Sequence, residues 1–187
     1  MRYAHDHKAQ THERILHEAS ARFRRDGIGA TGLQPLMKAL GLTHGGFYAH
    51  FKSKDDLVEK ALRCAADEAN EHSSKAFAED NGLAAFIEMY LSETHRNAPE
   101  KGCPIPTMSS ELGQRGEASA ITDELIESRL ASLQSSLSGP DADAQSVVML
   151  STLVGALMLS RSTQDPALSQ RILHTTRDWL TQQASES

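Results

Sequence analysis

LQPLMKALGLTHGGFYAHFKSK, residues 33–54, holds two short apolar-patterned segments separated by a glycine. In the first, Leu33, Leu36, Met37 and Leu40 recur at i, i+3, i+4 and i+7, the spacing that lines one buried face of a helix. Gly41 then supplies the positive φ that ends a helix, with Leu42 as the hydrophobic residue beyond the cap. Thr43 is placed to N-cap a second helix. There Phe47 and Phe51, four apart, face inward, while His44 and Tyr48 share a different, more exposed face. Two helices joined by a tight glycine turn predict a helix-turn-helix, which sets its second helix in the major groove of double-stranded DNA.

Such a helix contacts bases mainly through its N-terminal residues, here Thr43, His44, Gly45 and Gly46. The imidazole can donate and accept, and the glycines let backbone approach backbone. Each glycine costs about 1 kcal/mol of helix propensity relative to alanine, which points to a use for close approach. Tyr48, His50, Lys52 and Lys54 supply hydroxyl, imidazole and ammonium groups that position a protein on phosphates without reading sequence.

GLTHGGFYAHFKSKDDL at residues 41–57, with THERILHEASARFRRDGIGATG at residues 11–32, resembles the N-terminal signature of the TetR family of transcriptional regulators. The resemblance covers about the first third of the chain. It implies an all-α homodimer: a three-helix DNA-binding domain at residues 1–53, then a helical effector-binding and dimerisation domain at 54–187 that lets go of DNA when it holds a small-molecule inducer. It also implies base contacts from Gln34, His44 and Gly45 and phosphate contacts from Tyr48 and Lys54. Gly46 stands where the family has a hydroxyl residue, which favours a backbone N–H contact there. Pro35 is tolerated only in a first turn, so the second helix begins near Gly32 or Leu33, and Thr31 with Gln34 has the spacing of a capping box.

The net charge of −6 speaks against a nucleic-acid binder until its distribution is read. Residues 1–63 carry 11 Lys+Arg against 7 Asp+Glu, a balance of +4, and six of the nine histidines; the remainder is strongly acidic. The positive end is the one that carries the candidate reading helix. Two cysteines, Cys64 and Cys103, are too few for a disulfide framework and suit a reduced, cytoplasmic setting. Residues 1–10 lack the apolar core of a signal peptide. The longest apolar run, residues 147–160, is interrupted by Ser151, Thr152 and Gly155 and falls short of the roughly 20 residues that span a bilayer, so no membrane partner is expected.

Along the chain, residues 1–10 read as a flexible arm able to touch DNA through Arg2 and Lys8. The pair His5 and His7 lacks the fixed geometry a metal requires, so neither metal nor other cofactor is expected. Ile15, Ala19 and Phe23 mark a first helix to Asp26, ended by Gly27. Ser53 and Asp56 cap a long helix over about 54–77 that links the two domains. Leu83, Phe86, Ile87, Tyr90 and Leu91 predict a helix to about His95. Residues 97–116, NAPEKGCPIPTMSSELGQRG, are irregular, with one short helix around 107–112, and irregular backbone in a helical domain is where a site is most expected.

Ile126, Leu130, Leu133 and Leu137 return to helix. Residues 141–162 are apolar on nearly every side of their latter half, from Val147 to Leu159, which must be covered on all sides. Asp165 and Pro166 start a final helix. These last two helices are the candidate two-fold interface, through Leu150, Val154, Gly155, Leu157, Met158, Ile172 and Trp179; the alternative is that they complete one chain's core. The inducer pocket is expected among the helices after Ala66, lined by Phe86, Met89, Tyr90, Cys103, Met108, Leu125, Leu150, Leu153, Val154 and Trp179, with Glu93, His95, Arg96 and Arg129 available for a polar head group. A methionine and aromatic set at helical spacing is more often plain core, and a solvated face is the default for the charged groups. Cys103, beside Lys101, is a candidate thiol sensor of oxidants or electrophiles, the ammonium favouring its thiolate, against the blander reading of a small buried hydrophobe; Cys64 reads as packing. No H-E-x-x-H, nucleophile elbow or Walker A sequence supports an enzyme. A constitutive DNA binder without effector is the other alternative, against which the size of the C-terminal domain argues.

Overall fold

The computed structural model describes the backbone of residues 2–186 and the side chains of residues 7–185. It is all helical among these residues: α1 (Arg2–Asp26), α2 (Leu33–Ala39), a 3₁₀ helix (His44–Ala49), α3 (Lys54–Phe77), α4 (Gly82–Tyr90), α5 (Glu93–Asn97), a 3₁₀ turn (Pro99–Lys101), a π turn (Ile105–Ser109) continuing into α6 (Ser110–Gln114), then α7 (Ala120–Ser135), α8 (Ala142–Ser162) and α9 (Pro166–Glu186). The stops are chemical. Gly27 and Gly41 take φ of +92° and +72°. At the end of α2 the Gly41 amide donates to the Lys38 carbonyl and the Leu42 amide to that of Met37, the paired bonds of a Schellman motif. Ser53 Oγ accepts from the Asp56 amide to start α3, and Asp165 Oδ1 from the Ala167 amide to start α9.

Several expectations are corrected. Residues 2–10 are not a loose arm but the first turns of α1; no glycine or proline interrupts the run before Gly27, and a turn polar on all sides can face solvent without an apolar stripe. The side chains of Arg2 and His5 lie outside the described residues. The Thr31 and Gln34 capping box does not form: Gly32 is the N-cap, and the Thr31 hydroxyl donates back to the Gly27 carbonyl at 2.8 Å. The second helix of the motif winds as 3₁₀ rather than α, in keeping with two glycines in its first turn. The helix expected to run to His95 breaks at Leu91, where Ser92 caps α5.

Two apolar clusters hold the chain. The first joins Ile15, Ala19 and Phe23 of α1, Leu36 and Met37 of α2, Phe47 and Phe51, the first half of α3, and Met108, Leu112, Ile121 and Leu125 from the C-terminal half. The second joins Phe86, Ile87 and Tyr90 of α4 to Leu133 of α7, Met149, Leu150, Leu153 and Leu157 of α8, and Leu173 and Leu180 of α9. The helical run at α8 is longer than the apolar run in the sequence: it has 21 residues and a mean hydropathy of 1.5, enough by length and composition to cross a membrane. It packs instead between α7 and α9, while Val147, Val148, Met158 and Leu159 remain exposed.

Candidate functional site

The candidate reading face stands on a fixed base. Phe47 and Phe51 are buried and their rings stack 5.5 Å apart, which settles the rotation of the 3₁₀ helix. That leaves Tyr48 61% exposed, its ring edge-on to the exposed His44 ring at 6.0 Å. Thr43 caps this helix, its Oγ1 accepting from the Gly46 amide at 3.2 Å. The amides of His44 and Gly45 lie in the same exposed first turn, and a Cβ added at Gly45 would meet nothing within 4 Å. Gln34 and Lys52 are exposed as well.

Two of the proposed phosphate ligands have other work in the fold. Lys54 Nζ donates to the Ile28 carbonyl at 2.7 Å. His50 is half-buried against His12, with ring centroids 6.1 Å apart, and its Nδ1 is buried with no hydrogen-bond partner. Burial, helped by the nearby His12 and Lys8, lowers its pKa, so at neutral pH it is a neutral packing group.

The helix-turn-helix unit is tied to the rest of the chain through the loop after α1. Glu111, on α6, accepts from the Ile28 amide at 2.6 Å and the Gly29 amide at 2.8 Å, and pairs with Arg115. With Lys54 on the Ile28 carbonyl and Thr31 on that of Gly27, this loop is held from both sides. Arg24, on α1, is a second tie. It is 3% exposed and donates to the carbonyls of Ser20 and Gly102 and to Glu68 Oε2 of α3. The sequence reading missed both ties, because each joins residues tens of positions apart and nothing local marks them.

A cavity of about 190 Å³ opens between α3, α4, α5 and α7, lined by Met89, Tyr90, Cys103, His72, Lys101 and Arg129 among others. Of the residues expected to line a pocket, Met89, Tyr90, Cys103, His95 and Arg129 are there. The others are not. Phe86 lies beneath, its ring against the Arg129 guanidinium at 5.3 Å; Met108 and Leu125 belong to the cluster under the reading unit; Leu150 and Leu153 fill the second core, and Val154 is half-buried on α8. Trp179 is 51% exposed and borders a separate groove with Val148 and Leu137. Glu93 and Arg96 also stay outside, bonded to Gln170 and to Ser169 of α9.

The cavity wall is electrostatically unusual. Arg129 is 3% exposed, and both its hydrogen bonds, to the Ala69 carbonyl and Asn70 Oδ1 at 3.3 Å, come from Nη2. Among the described residues no carboxylate pairs with it, and burial lowers its pKa. The Tyr90 hydroxyl is buried without a hydrogen-bond partner, and burial drives its pKa well up. His95 is a strut. Its Nδ1–H donates to the Tyr90 carbonyl at 2.7 Å and its Nε2 accepts from the Cys103 amide at 3.2 Å; burial, joined by nearby Arg161, holds its pKa down to about 4 against the Tyr90 hydrogen bond, which raises it.

The candidate interface residues divide by orientation. Leu150 and Leu157 point into the chain's own core, which corrects their assignment to the interface. The outer face of α8 instead carries Val147, Val148, Met158 and Leu159, all exposed, with Val154 and Gly155 half-buried between them; on α9, Ile172 is half-buried and Trp179 exposed.

Residues 15–61 match the family described as bacterial regulatory proteins, tetR family. The HTH-type transcriptional regulator AcrR of Shigella flexneri is 42% identical over 51 residues, which are 27% of this chain and 24% of AcrR. The uncharacterized HTH-type transcriptional regulator YfiR of Bacillus subtilis (strain 168) is 28% identical over 88 residues, 47% of this chain and 42% of YfiR. The matched stretches thus span less than half of either relative. Over most of the chain the fold is that of solved structures. A TetR transcriptional regulator from Legionella pneumophila superposes with a TM-score of 0.76 at 19% identity, covering 91% of this chain and 95% of that one. The reduced form of NemR from E. coli gives 0.74 at 17%, again covering 91% and 95%. The family match thus rests on residues 15–61, and over the rest of the chain the likeness to solved TetR-family regulators is one of fold.

Proposed function

We propose that the chain is a ligand-responsive transcriptional regulator that binds a near-palindromic operator as a homodimer and is released by a small-molecule inducer. The observation that carries the DNA half is the pair His44 and Tyr48, exposed and edge to face on a short helix whose opposite side is locked into the core. Tyr48 and Lys52 hold the phosphate backbone, and His44, with the bare backbone at Gly45 and Gln34 from α2, reads bases. A second copy joined through the outer face of α8 sets two reading helices about 34–36 Å apart, one turn of duplex. The large apolar side chains left in water on that face support the pairing.

The inducer half rests on the cavity. A buried guanidinium without a carboxylate partner, a buried hydroxyl without a hydrogen bond and the Lys101 ammonium in one wall suit a small organic acid: its anion on Arg129, its apolar body against Met89 and Tyr90. At about 190 Å³ the space is below the ~300–1,000 Å³ of drug-sized sites. In a duplex-selection experiment followed by fluorescence anisotropy, Tyr48→Ala should weaken every duplex alike and flatten the salt dependence, whereas His44→Ala should change the preferred sequence. Equal loss on selected and random duplex in His44→Ala would remove the base-reading role. Release of the selected duplex by small organic acids, lost in Arg129→Lys, tests the inducer class. A second reading, a thiol sensor, is favoured by the position of Cys103 in the cavity wall. There Cys103→Ser should keep DNA binding and lose any oxidant response.

A further inference from the structure

Where α1 and α3 lie side by side, three ligand-type atoms converge outside the cavity. His17 Nδ1 is 3.5 Å from Cys64 Sγ and 3.3 Å from Glu68 Oε1, and Cys64 Sγ is 3.7 Å from Glu68 Oε1. Cys64 and Glu68 are four apart on one face of α3, which aims both at the same point. A tetrahedral zinc ion with bonds of about 2.0–2.3 Å to N, S and O has edges of about 3.6 Å (N–S), 3.5 Å (S–O) and 3.3 Å (N–O), and the three observed separations match these within about 0.2 Å. The carboxylate is also held from behind. Glu68 Oε2 is bound at 2.6 Å by Arg24, whose own position is fixed by two backbone carbonyls. That leaves Oε1 turned toward His17 and Cys64, the outer-sphere support that metal-binding carboxylates receive.

We propose that His17, Cys64 and Glu68 form a zinc site with water in the fourth position. Cys64 ligates as thiolate, passing its proton to solvent, and with the Glu68 carboxylate it balances the dipositive ion; His17 ligates neutral through Nδ1. A sulfur, an imidazole and one carboxylate select zinc over magnesium or calcium, which take oxygen donors. His17 is exposed and provides the entry path. The ion clips α1 at His17, inside the matched residues 15–61, to α3 at Cys64 and Glu68, just past them, fixing the angle at which α3 leaves the helix-turn-helix unit.

The test is titration of the full chain with Co²⁺ as the spectroscopic probe. One equivalent should produce a thiolate-to-cobalt charge-transfer band with d–d bands of tetrahedral intensity. The band should vanish in Cys64→Ser and persist in Cys103→Ser, and His17→Ala, a change at an exposed position, should weaken zinc binding about tenfold or more. Zinc at a hundredfold excess over Kd should raise Tm by about 5–10 °C in the native chain and not in His17→Ala. Absence of a thiolate band, its survival in Cys64→Ser, or a zinc-induced Tm shift undiminished in His17→Ala would overturn the proposal, the last because the ion would then sit on other groups such as the histidines near the N-terminus.

Discussion

Replacing Glu111 with alanine is the sharpest test of how the two halves of the chain are coupled. Its carboxylate accepts from two consecutive amides of the reading unit, Ile28 and Gly29, at 2.6 and 2.8 Å, and is paired with Arg115 on its own helix. Hydrogen bonds to a charged acceptor contribute about 1.5–3 kcal/mol each. Ile28 is 1% exposed, so its amide would be left with restricted access to water; the side chain of Glu111, 24% exposed, lets solvent offset part of the loss. Glu111→Ala should therefore lower the unfolding free energy by about 2–4 kcal/mol, and Tm by about 5–12 °C for a chain of this size. Glu111→Gln, which keeps one acceptor oxygen but no charge, should fall between. Chemical denaturation followed by circular dichroism reads the first effect. A change below about 0.5 kcal/mol in Glu111→Ala would show that these bonds hold nothing the loop cannot supply itself, and that movement of α6 does not reach the reading unit this way.

Three further outcomes are expected. His95 is neutral in the fold, with a pKa near 4 against an ordinary 6.5, so its contribution is complete above about pH 6.5 and is lost as pH falls toward 4, by at most about 3 kcal/mol. The stability gap between the native chain and His95→Gln should narrow over that interval, and parallel pH curves would refute the assignment. In Gly102→Ala the new Cβ would lie 2.6 Å from His95 Nε2, displacing the ring from the Cys103 amide at a cost of about 1–3 kcal/mol by thermal denaturation. Gly45→Ala, with open space around the added methyl, should stabilise the free chain by about 0.4–1 kcal/mol yet weaken operator binding, since the methyl occupies the space that backbone and base pairs must share; unchanged affinity would show no close approach there.

What the sequence made legible was local. Caps and stops at Gly27, Gly41, Thr43, Ser53 and Pro166 are decided by the residues beside them, and so were readable. The inward rotation of Phe47 and Phe51, with His44 and Tyr48 outward, followed from helical spacing alone, although the winding turned out tighter than α. Glu111 and the wall of the cavity were out of reach, because their partners lie far away in the chain: 83 residues separate Glu111 from Ile28. Met108 and Leu125 were misplaced for a related reason. Apolar periodicity says that a residue is buried but not in which of two adjoining cores. The same ambiguity put Leu150 and Leu157 on the outer face of α8, where Val148 and Met158 stand instead.

Arg24 has a mechanical consequence. One rigid, planar guanidinium grips its own helix at Ser20, the neighbouring α3 at Glu68 and the edge of the cavity at Gly102. A flexible lysine could stretch to follow a small shift of any one of them; a fork of fixed geometry must either carry its partners along or let go of one. Motion at Gly102 is thereby passed to the first helix as a step rather than a slope, which is the behaviour of a latch.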